Sequence, residues 1–247
     1  MTRLINLYRS VIGKKFIVAV TGSIMIGFLI LHGWGNLKVF SGPTAAGVPE
    51  IDIYADFLRT VGAPIFPHGT LLWFIRIAVL VSLILHVVCV TQLARHNRKA
   101  RPVRYKHARN WKEATRAARS MIYTGSVVVF FIGFHLMQFT VGGIDSTHFV
   151  QGEVYGNLYG AFQHPIYVAL YVTVMAVIGF HLYHGAWSLF QTLGWDNPDR
   201  NKSLRLLSVA LGLGIFLVFS AVPISFFSGE MSKPSTQHVE TSSQKSR

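Results

Sequence analysis

Each of the first four long apolar stretches of this 247-residue sequence contains a histidine well inside a potential helix. These four histidines are His32, His86, His135 and His181. An ionisable side chain is costly inside a membrane and marks a functional position there, since imidazole can ligate a metal, relay protons or bind a substrate. The alternative is that all four are unrelated core residues that hydrogen-bond within a helical bundle.

Depth along the helices separates the four histidines into two levels. His32 is counted from Lys15 and His135 from Arg119, the last basic residues before their apolar stretches. The two separations are nearly equal, and at about 1.5 Å per residue each corresponds to roughly 25 Å. The spacing predicts that His32 and His135 form one pair at a common level, which we call the outer pair.

The other two histidines are counted from the opposite rim. His86 is counted from His68 and His181 from His164, and these separations are again nearly equal. Both histidines are therefore roughly 26 Å from that rim, which predicts a second, inner pair. Alternate helices of an up-down bundle face one another across its core, so each pair can meet there.

Two imidazoles at one level are what a bis-imidazole haem requires, because they occupy both faces of the porphyrin and close the iron to outside ligands. The sequence therefore predicts two haems stacked in the bundle core, ligated by His32 with His135 and by His86 with His181. Gly22 and Gly125 each precede an outer-pair histidine by ten positions, near the inner level. A missing side chain there would let the macrocycle approach the backbone.

The apolar composition supplies the helices that must position these histidines. Hydrophobic residues make up 51% of the chain and charged residues only 13%, against about 25% charged in soluble proteins. The apolar residues form five runs long enough to cross a bilayer, and none of the runs contains an acidic residue. The runs cover residues 16–39, 69–93, 121–141, 166–193 and 204–227. The predicted fold is an all-α membrane protein, a bundle of five transmembrane helices.

The domain organisation is predicted to be simple. Residues 1–228 read as a single transmembrane haem-binding domain with no visible repeat, and residues 229–247, rich in Ser and Lys, as a disordered C-terminal tail. Cys89 is the only cysteine, which excludes a disulfide framework, a thiolate iron–sulfur cluster and covalent haem attachment.

The basic residues predict the orientation. Most of the 23 Lys and Arg residues fall before the first span, between the second and third, or between the fourth and fifth. Positive charge is retained on the cytoplasmic side, so the N-terminus is expected inside and the C-terminus outside. The net charge of +13 is then explained mainly by this topology, without a nucleic-acid partner. The same basic residues could also attract anionic lipids or an acidic surface of a partner protein.

Four further residues are candidates for contacts around the haems. Arg76 is the only Arg or Lys well inside a span, where a haem propionate would match its bidentate fork. His184 lies three positions after His181, so spacing leaves it open as an alternative inner ligand, or as a second contact to the haem or its propionate. His68 and His164 lie at helix starts, where they could contact a quinone or simply cap a helix.

Three strings in the sequence carry a family resemblance. They resemble the cytochrome b membrane-anchor subunit of succinate dehydrogenase and fumarate reductase, in its single-chain, five-helix, two-haem form. The similarity runs from about residue 8 to residue 228. The strings are Gly27-Phe-Leu-Ile-Leu-His32-Gly-Trp-Gly-Asn36, Phe134-His135, and Phe180-His181-Leu-Tyr-His-Gly185-Ala-Trp187-Ser-Leu-Phe190.

The resemblance implies specific cofactors, partners and ligands. The family ligand stands four positions before the glycine of an H-x-x-x-G-x-W pattern, which selects His181 over His184. Both cofactors would be haem b, and menaquinone the membrane substrate. The partners would be a flavoprotein and an iron–sulfur subunit on the cytoplasmic face of the inner membrane, forming respiratory complex II of the tricarboxylic acid cycle, which could assemble into a higher oligomer. The chain itself would do no dicarboxylate chemistry; electrons would pass from the iron–sulfur partner through the inner and outer haems to quinone.

One departure and two rivals accompany this resemblance. Fumarate reductase relatives with a transmembrane proton pathway carry a glutamate two positions before the fourth-helix ligand, where this chain has Gly179. Cytochrome b subunits of other membrane oxidoreductases are one rival, although several place two ligands roughly four helical turns apart on one helix. The histidines of these spans do not have that spacing. A haem-free transporter or proton channel is the other rival.

Overall fold

The computed structural model describes residue 8 and residues 10–100, 116–144 and 149–233. Within these residues the regular structure is helical, apart from one isolated bridge between Pro43 and Pro49. The α-helices of six residues or more are, in chain order, α1 (Val11–Leu37), α2 (Glu50–Thr60), α3 (Thr70–Lys99), α4 (Arg116–Leu136), α5 (Val154–Phe162), α6 (Pro165–Thr192) and α7 (Asn201–Phe227).

Five of these helices, α1, α3, α4, α6 and α7, are long and apolar enough to cross a membrane. The predicted fold class, an all-helical protein with five potential membrane spans, is confirmed to this extent. Several helices continue past the apolar runs: α1 begins before Lys14, and α3 ends only at Lys99. Basic side chains are tolerated at such helix ends because their charged groups can reach water while their stems remain apolar.

The two short helices α2 and α5 were not predicted from the sequence. α2 lies in the polar loop between α1 and α3, and α5 occupies the corresponding place between α4 and α6. Among the described residues, a long helix, a short helix and a long helix therefore occur twice in this order, followed by α7. No repeat was expected from the sequence, since the short helices lack the apolar length that marks a span.

α4 ends differently from the other spans. Its last turn, Met137–Val141, is a π-helix, and Gly142 then closes it in the left-handed region at φ 72°. A π-turn widens the helix locally and is frequent at functional sites. Parts of the predicted basic loop and of the predicted tail, residues 101–115 and 234–247, lie outside the described residues.

The chain divides into two compact units, and each of the five long helices contributes one segment to each unit. Unit 1 comprises Met1–Ile30, Ile75–Val127 and Val177–Gly214. Unit 2 comprises Leu31–Phe74, Val128–Ala176 and Ile215–Arg247. His86 and His181 belong to unit 1, and His32 and His135 belong to unit 2.

Within unit 1, α6 and α7 pack at a glycine contact. A Cβ atom added at Gly212 would collide with the carbonyl of Gly179, so the two backbones approach as closely as glycine allows. Further along the same helices, the Arg205 guanidinium lies 4.6 Å from the centroid of the Trp187 ring, a cation–π contact.

Within unit 2, the two short helices are joined by a cap. The Asp52 carboxylate on α2 accepts a hydrogen bond of 2.9 Å from the backbone N–H of Tyr155, in the first turn of α5. This carboxylate satisfies an otherwise unpaired amide at a helix N-terminus. The Tyr155 hydroxyl donates to the Ser232 carbonyl at 3.0 Å, which attaches the chain beyond α7 to α5.

Candidate functional site

The rings of His32 and His135 face each other in unit 2. Their centroids are 6.0 Å apart and their planes meet at 81°. Two imidazoles bound to one metal through nitrogen bonds of about 2 Å have centroids about 6 Å apart, so the gap accommodates a single metal ion between them. Neighbouring aromatic rings hold both: Phe219 lies 5.5 Å from His32, and Phe131 lies 5.9 Å from His135.

The structure also brings His86 and His181 together within unit 1, close enough to interact electrostatically. The Nδ1 atom of each imidazole lies within hydrogen-bond distance of a threonine hydroxyl on a neighbouring helix. The Oγ1 atom of Thr21 lies 3.2 Å from Nδ1 of His86, and the Oγ1 atom of Thr124 lies 3.0 Å from Nδ1 of His181. The two contacts join α1 to α3 and α4 to α6.

Both threonine hydroxyls also have backbone carbonyls of their own helix within hydrogen-bond distance, and we assign the imidazole tautomers on this basis. Thr21 donates its proton to the Ile17 carbonyl at 2.7 Å, and Thr124 donates to the carbonyls of Ser120 and Met121, both at 3.2 Å. With each hydroxyl proton assigned to a carbonyl, the hydroxyl oxygen accepts from the histidine. The proton of each neutral imidazole therefore lies on Nδ1, and Nε2 keeps the lone pair that a metal needs.

His135 has a different acceptor. Its Nδ1 atom lies 3.2 Å from the hydroxyl of Tyr171, and that hydroxyl donates to Oε1 of Gln138 at 2.8 Å. Because the phenol proton goes to Gln138, the phenol oxygen accepts from Nδ1 of His135. Three of the four predicted ligands thus have Nδ1–H bound to an oxygen and Nε2 available, the arrangement found for most metal-ligating histidines.

Glycines bring the backbone against both rings of the His86–His181 pair. A Cβ atom at Gly22 would lie 3.6 Å from Cε1 of His86, and one at Gly125 would lie 3.3 Å from Cε1 of His181. The sequence predicted that these glycines, near the inner level, let the haem macrocycle approach the backbone. The structure shows that each one faces an imidazole directly, next to the threonine that accepts from the same ring.

The accepting groups Thr21, Thr124, Tyr171 and Gln138 were missed by the sequence reasoning. For the threonines a signal was present: Thr-Gly-Ser occurs at residues 21–23 and again at residues 124–126, each followed nine positions after the serine by a histidine, His32 and His135. Helical periodicity gives no such signal for Tyr171 or Gln138, which become adjacent to His135 only through packing.

These residues fit a haem. Three of the imidazoles have an oxygen partner for Nδ1, and the centroid spacing of His32 and His135 matches two imidazoles on one metal. Glycines make room for the rings of the other pair. Unit 2 adds a buried polar group: within the described residues, Nε2 of Gln138 has no hydrogen-bond partner although the side chain is 3% exposed. A buried donor of this kind indicates either strain or a ligand group nearby.

The four residues predicted to contact a haem propionate or a quinone have fewer contacts that bear on such a role. His184 is half-buried and interacts electrostatically with His181. His68 and His164 are exposed, and the His164 ring packs 5.8 Å from Tyr167. Arg76 is exposed on α3, close to the point at which that helix passes from unit 2 into unit 1.

The position that departs from the family pattern has a packing role. Gly179 is buried, and its carbonyl forms the contact with α7 at Gly212. Comparison with protein-family models, with curated proteins and with solved structures finds no match to this chain.

Proposed function

We propose that this chain is the membrane-anchor cytochrome b subunit of a succinate:quinone oxidoreductase, holding two haems b. His32 and His135 would ligate the outer haem, and His86 and His181 the inner one. The observation that carries the proposal is the perpendicular, 6.0 Å pairing of His32 with His135, in a chain where three of the four imidazoles have Nδ1–H engaged and Nε2 available.

A haem with two axial imidazoles supplies one-electron transfer and leaves no coordination position for substrate. The chain's own residues then have three tasks. The four histidines would hold the axial positions, and Thr21, Thr124 and Tyr171 would fix the tautomers of His86, His181 and His135. Gly22 and Gly125 make room for the imidazole rings of His86 and His181.

The wider assignment is part of the proposal. The chain would lie in the cytoplasmic membrane as a multi-pass protein with its N-terminus inside, and would bind a flavoprotein and an iron–sulfur subunit on the cytoplasmic face. Menaquinone would be its membrane substrate, and dicarboxylate chemistry would belong to the flavoprotein. The five potential spans and the sequence strings around His32, His135 and His181 support this assignment.

An absorption spectrum of the complex purified from membranes tests the haem assignment. Dithionite reduction should produce b-type bands, and a pyridine haemochrome assay should give two haems per chain. His32→Ala and His135→Ala should each remove the same haem, and His86→Ala and His181→Ala the other, while His164→Ala serves as the control.

Other results would favour the rivals. A preparation without b-type bands would favour a haem-free transporter. A two-haem preparation that co-purifies with neither a flavoprotein nor an iron–sulfur protein would favour a cytochrome b of another membrane oxidoreductase.

A further inference from the structure

The hydrogen-bond partner of His135 differs in kind from those of His86 and His181. The latter two donate to threonine hydroxyls, and each of those hydroxyls donates back to its own helix. His135 instead donates to the Tyr171 phenol, whose own O–H donates to the Gln138 amide oxygen. The result is a relay of three side chains that leads from α4 to α6 and back to the π-turn at the end of α4.

This relay is buried. Tyr171 is 5% exposed and Gln138 is 3% exposed. In such surroundings successive hydrogen bonds polarise one another, so donation by Tyr171 to Gln138 makes the phenol oxygen a better acceptor for His135. An imidazole whose Nδ1–H is held by a stronger acceptor is a more basic ligand at Nε2.

Aromatic packing fixes the position of the phenol. Four phenylalanine rings surround Tyr171 at centroid distances of 5.0 to 6.3 Å; they are Phe131, Phe134, Phe139 and Phe162. Two of these, Phe131 and Phe139, also contact the His135 ring itself, at 5.9 and 5.5 Å. These rings restrict rotation of the Tyr171 phenol. Through its hydrogen bond with Nδ1, the phenol in turn restricts the orientation of the His135 ring plane.

The direction of the relay follows from what coordination requires. If each proton were reversed, the Gln138 amide would donate to Tyr171, Tyr171 would donate to Nδ1 of His135, and the imidazole proton would lie on Nε2. That arrangement would satisfy Nε2 of Gln138, which has no partner within the described part of the chain. Only the forward arrangement leaves a lone pair on Nε2 of His135 for a metal.

We propose that Tyr171 and Gln138 are positioning residues that fix the ring plane of His135 and increase electron donation from its Nε2 atom, lowering the reduction potential of the haem held by His32 and His135. This inference rests on the proposed function, since it concerns the same pair of imidazoles. A more basic axial ligand favours the ferric over the ferrous state, which is why the potential falls.

The test is Tyr171→Phe in the purified complex, with Tyr167→Phe as its matched control. The substitution removes only the hydroxyl and leaves the ring among its neighbours. Tyr167 lies on the same helix one turn earlier, and its ring packs 6.1 Å from Phe134. Redox titration gives the midpoint potential of each haem, and low-temperature EPR reports the angle between the axial ring planes.

In Tyr171→Phe, the ratio of reduced to oxidised haem at a fixed potential should rise about three- to tenfold for the haem of His32 and His135 alone. Tenfold corresponds to about 59 mV for a one-electron couple. The EPR signal of that haem should also lose anisotropy, because the planes now meeting at 81° are free to relax. Gln138→Leu should shift the potential in the same direction by a smaller amount.

The possible outcomes decide for or against the proposal. A raised potential and a changed EPR signal of this one haem in Tyr171→Phe, with the other haem unchanged, support it; if Tyr171→Phe loses this haem, the potential in Gln138→Leu decides in the same way. Equal effects of Tyr171→Phe and Tyr167→Phe, or two haems whose potentials are unchanged or lowered in Tyr171→Phe, overturn it. A wild-type complex without b-type haem overturns the proposed function itself, and this distinguishes the two failures.

Discussion

The hydroxyl of Thr124 lies 3.0 Å from Nδ1 of His181, and these two residues belong to different helices, α4 and α6. The contact fixes which nitrogen of the imidazole keeps its lone pair. It also gives a reason, independent of sequence spacing, to distinguish His181 from His184: Gly125 and Thr124 both face the ring of His181.

Removing the threonine hydroxyls should weaken the inner haem site. In Thr124→Val the Nδ1–H of His181 loses its acceptor, and Thr21→Val does the same to His86. Loss of such an outer partner typically lowers metal affinity about 10- to 100-fold. Haem release to apomyoglobin measures the change. Ser126→Ala and Ser23→Ala are controls, because each serine hydroxyl donates to a carbonyl of its own helix. Equal haem release from all four variants would contradict the assignment.

The choice between His181 and His184 can be made by substitution. His181→Ala should remove one of the two haems, whereas His184→Ala should retain both, since the threonine and glycine contacts belong to His181. The pyridine haemochrome ratio of haem to protein measures the outcome. A one-haem preparation from His184→Ala, with His181→Ala intact, would reverse the assignment.

Alanine at the glycines that face the imidazoles should perturb the two rings unequally. A Cβ atom at Gly125 would stand 3.3 Å from His181, tighter than an ordinary contact, while at Gly22 it would stand 3.6 Å from His86. Gly125→Ala should therefore shift the optical and EPR signals of the inner haem more than Gly22→Ala. Gly27 and Gly133 have open space around the Cβ position, so alanine there should shift neither signal. The reverse order of effects would show that the rings do not lie as described.

The glycine contact between α6 and α7 should be sensitive to size. Gly212→Ala forces a methyl group against the Gly179 carbonyl, and such overpacking costs typically about 1–3 kcal/mol of folding free energy. Gly214→Ala, two positions further along α7, has open space and should not destabilise the protein. Thermal unfolding in detergent compares the two variants, and equal melting temperatures would argue against close packing here.

Tyr155 gives a pH-dependent prediction outside the spans. Burial raises the pKa of its phenol above the ordinary value of about 10, so the folded state favours the neutral form. Its contribution to stability is complete below the unfolded pKa and is lost as pH rises through the folded pKa. Proteolysis after Ser232 should therefore accelerate at alkaline pH in the wild type. Tyr155→Phe should remove this acceleration, and Tyr159→Phe should leave it in place. The same alkaline acceleration in Tyr155→Phe would assign it to another group.

The five long helices could be predicted from the sequence because length and hydropathy alone mark a span. Depth counting also selected His32 and His135, whose rings the structure brings to 6.0 Å. Both inferences use spacing along a helix, which is regular. Nothing equally regular marks α2 or α5, because their amphipathic faces and the cap from Asp52 depend on neighbours distant in sequence.

The residues that support the ligands are harder to predict for the same reason. Tyr171 and Gln138 lie 33 positions apart in the chain, and only the packing of α4 against α6 makes them partners. Thr21 and Thr124 could have been found from the repeated Thr-Gly-Ser string. That string becomes informative only when it is read together with the histidine nine positions after it.

The repeated order of long, short and long helices divides the segment from α1 to α6 into two similar parts, here called copies, and each imidazole pair joins corresponding positions of the two. His32 and His135 follow the same string in α1 and α4, and His86 and His181 lie on the third helix of each copy.

The two copies differ beside the ligands. The position ten places before the third-helix ligand is Arg76 in one copy and Tyr171 in the other. The position three places after the first-helix ligand is Gly35 in one copy and Gln138 in the other. The same ligand type thus has different neighbours in the two copies, and the double variant Arg76→Tyr with Gly35→Gln would measure how far these positions set the properties of the two proposed haems.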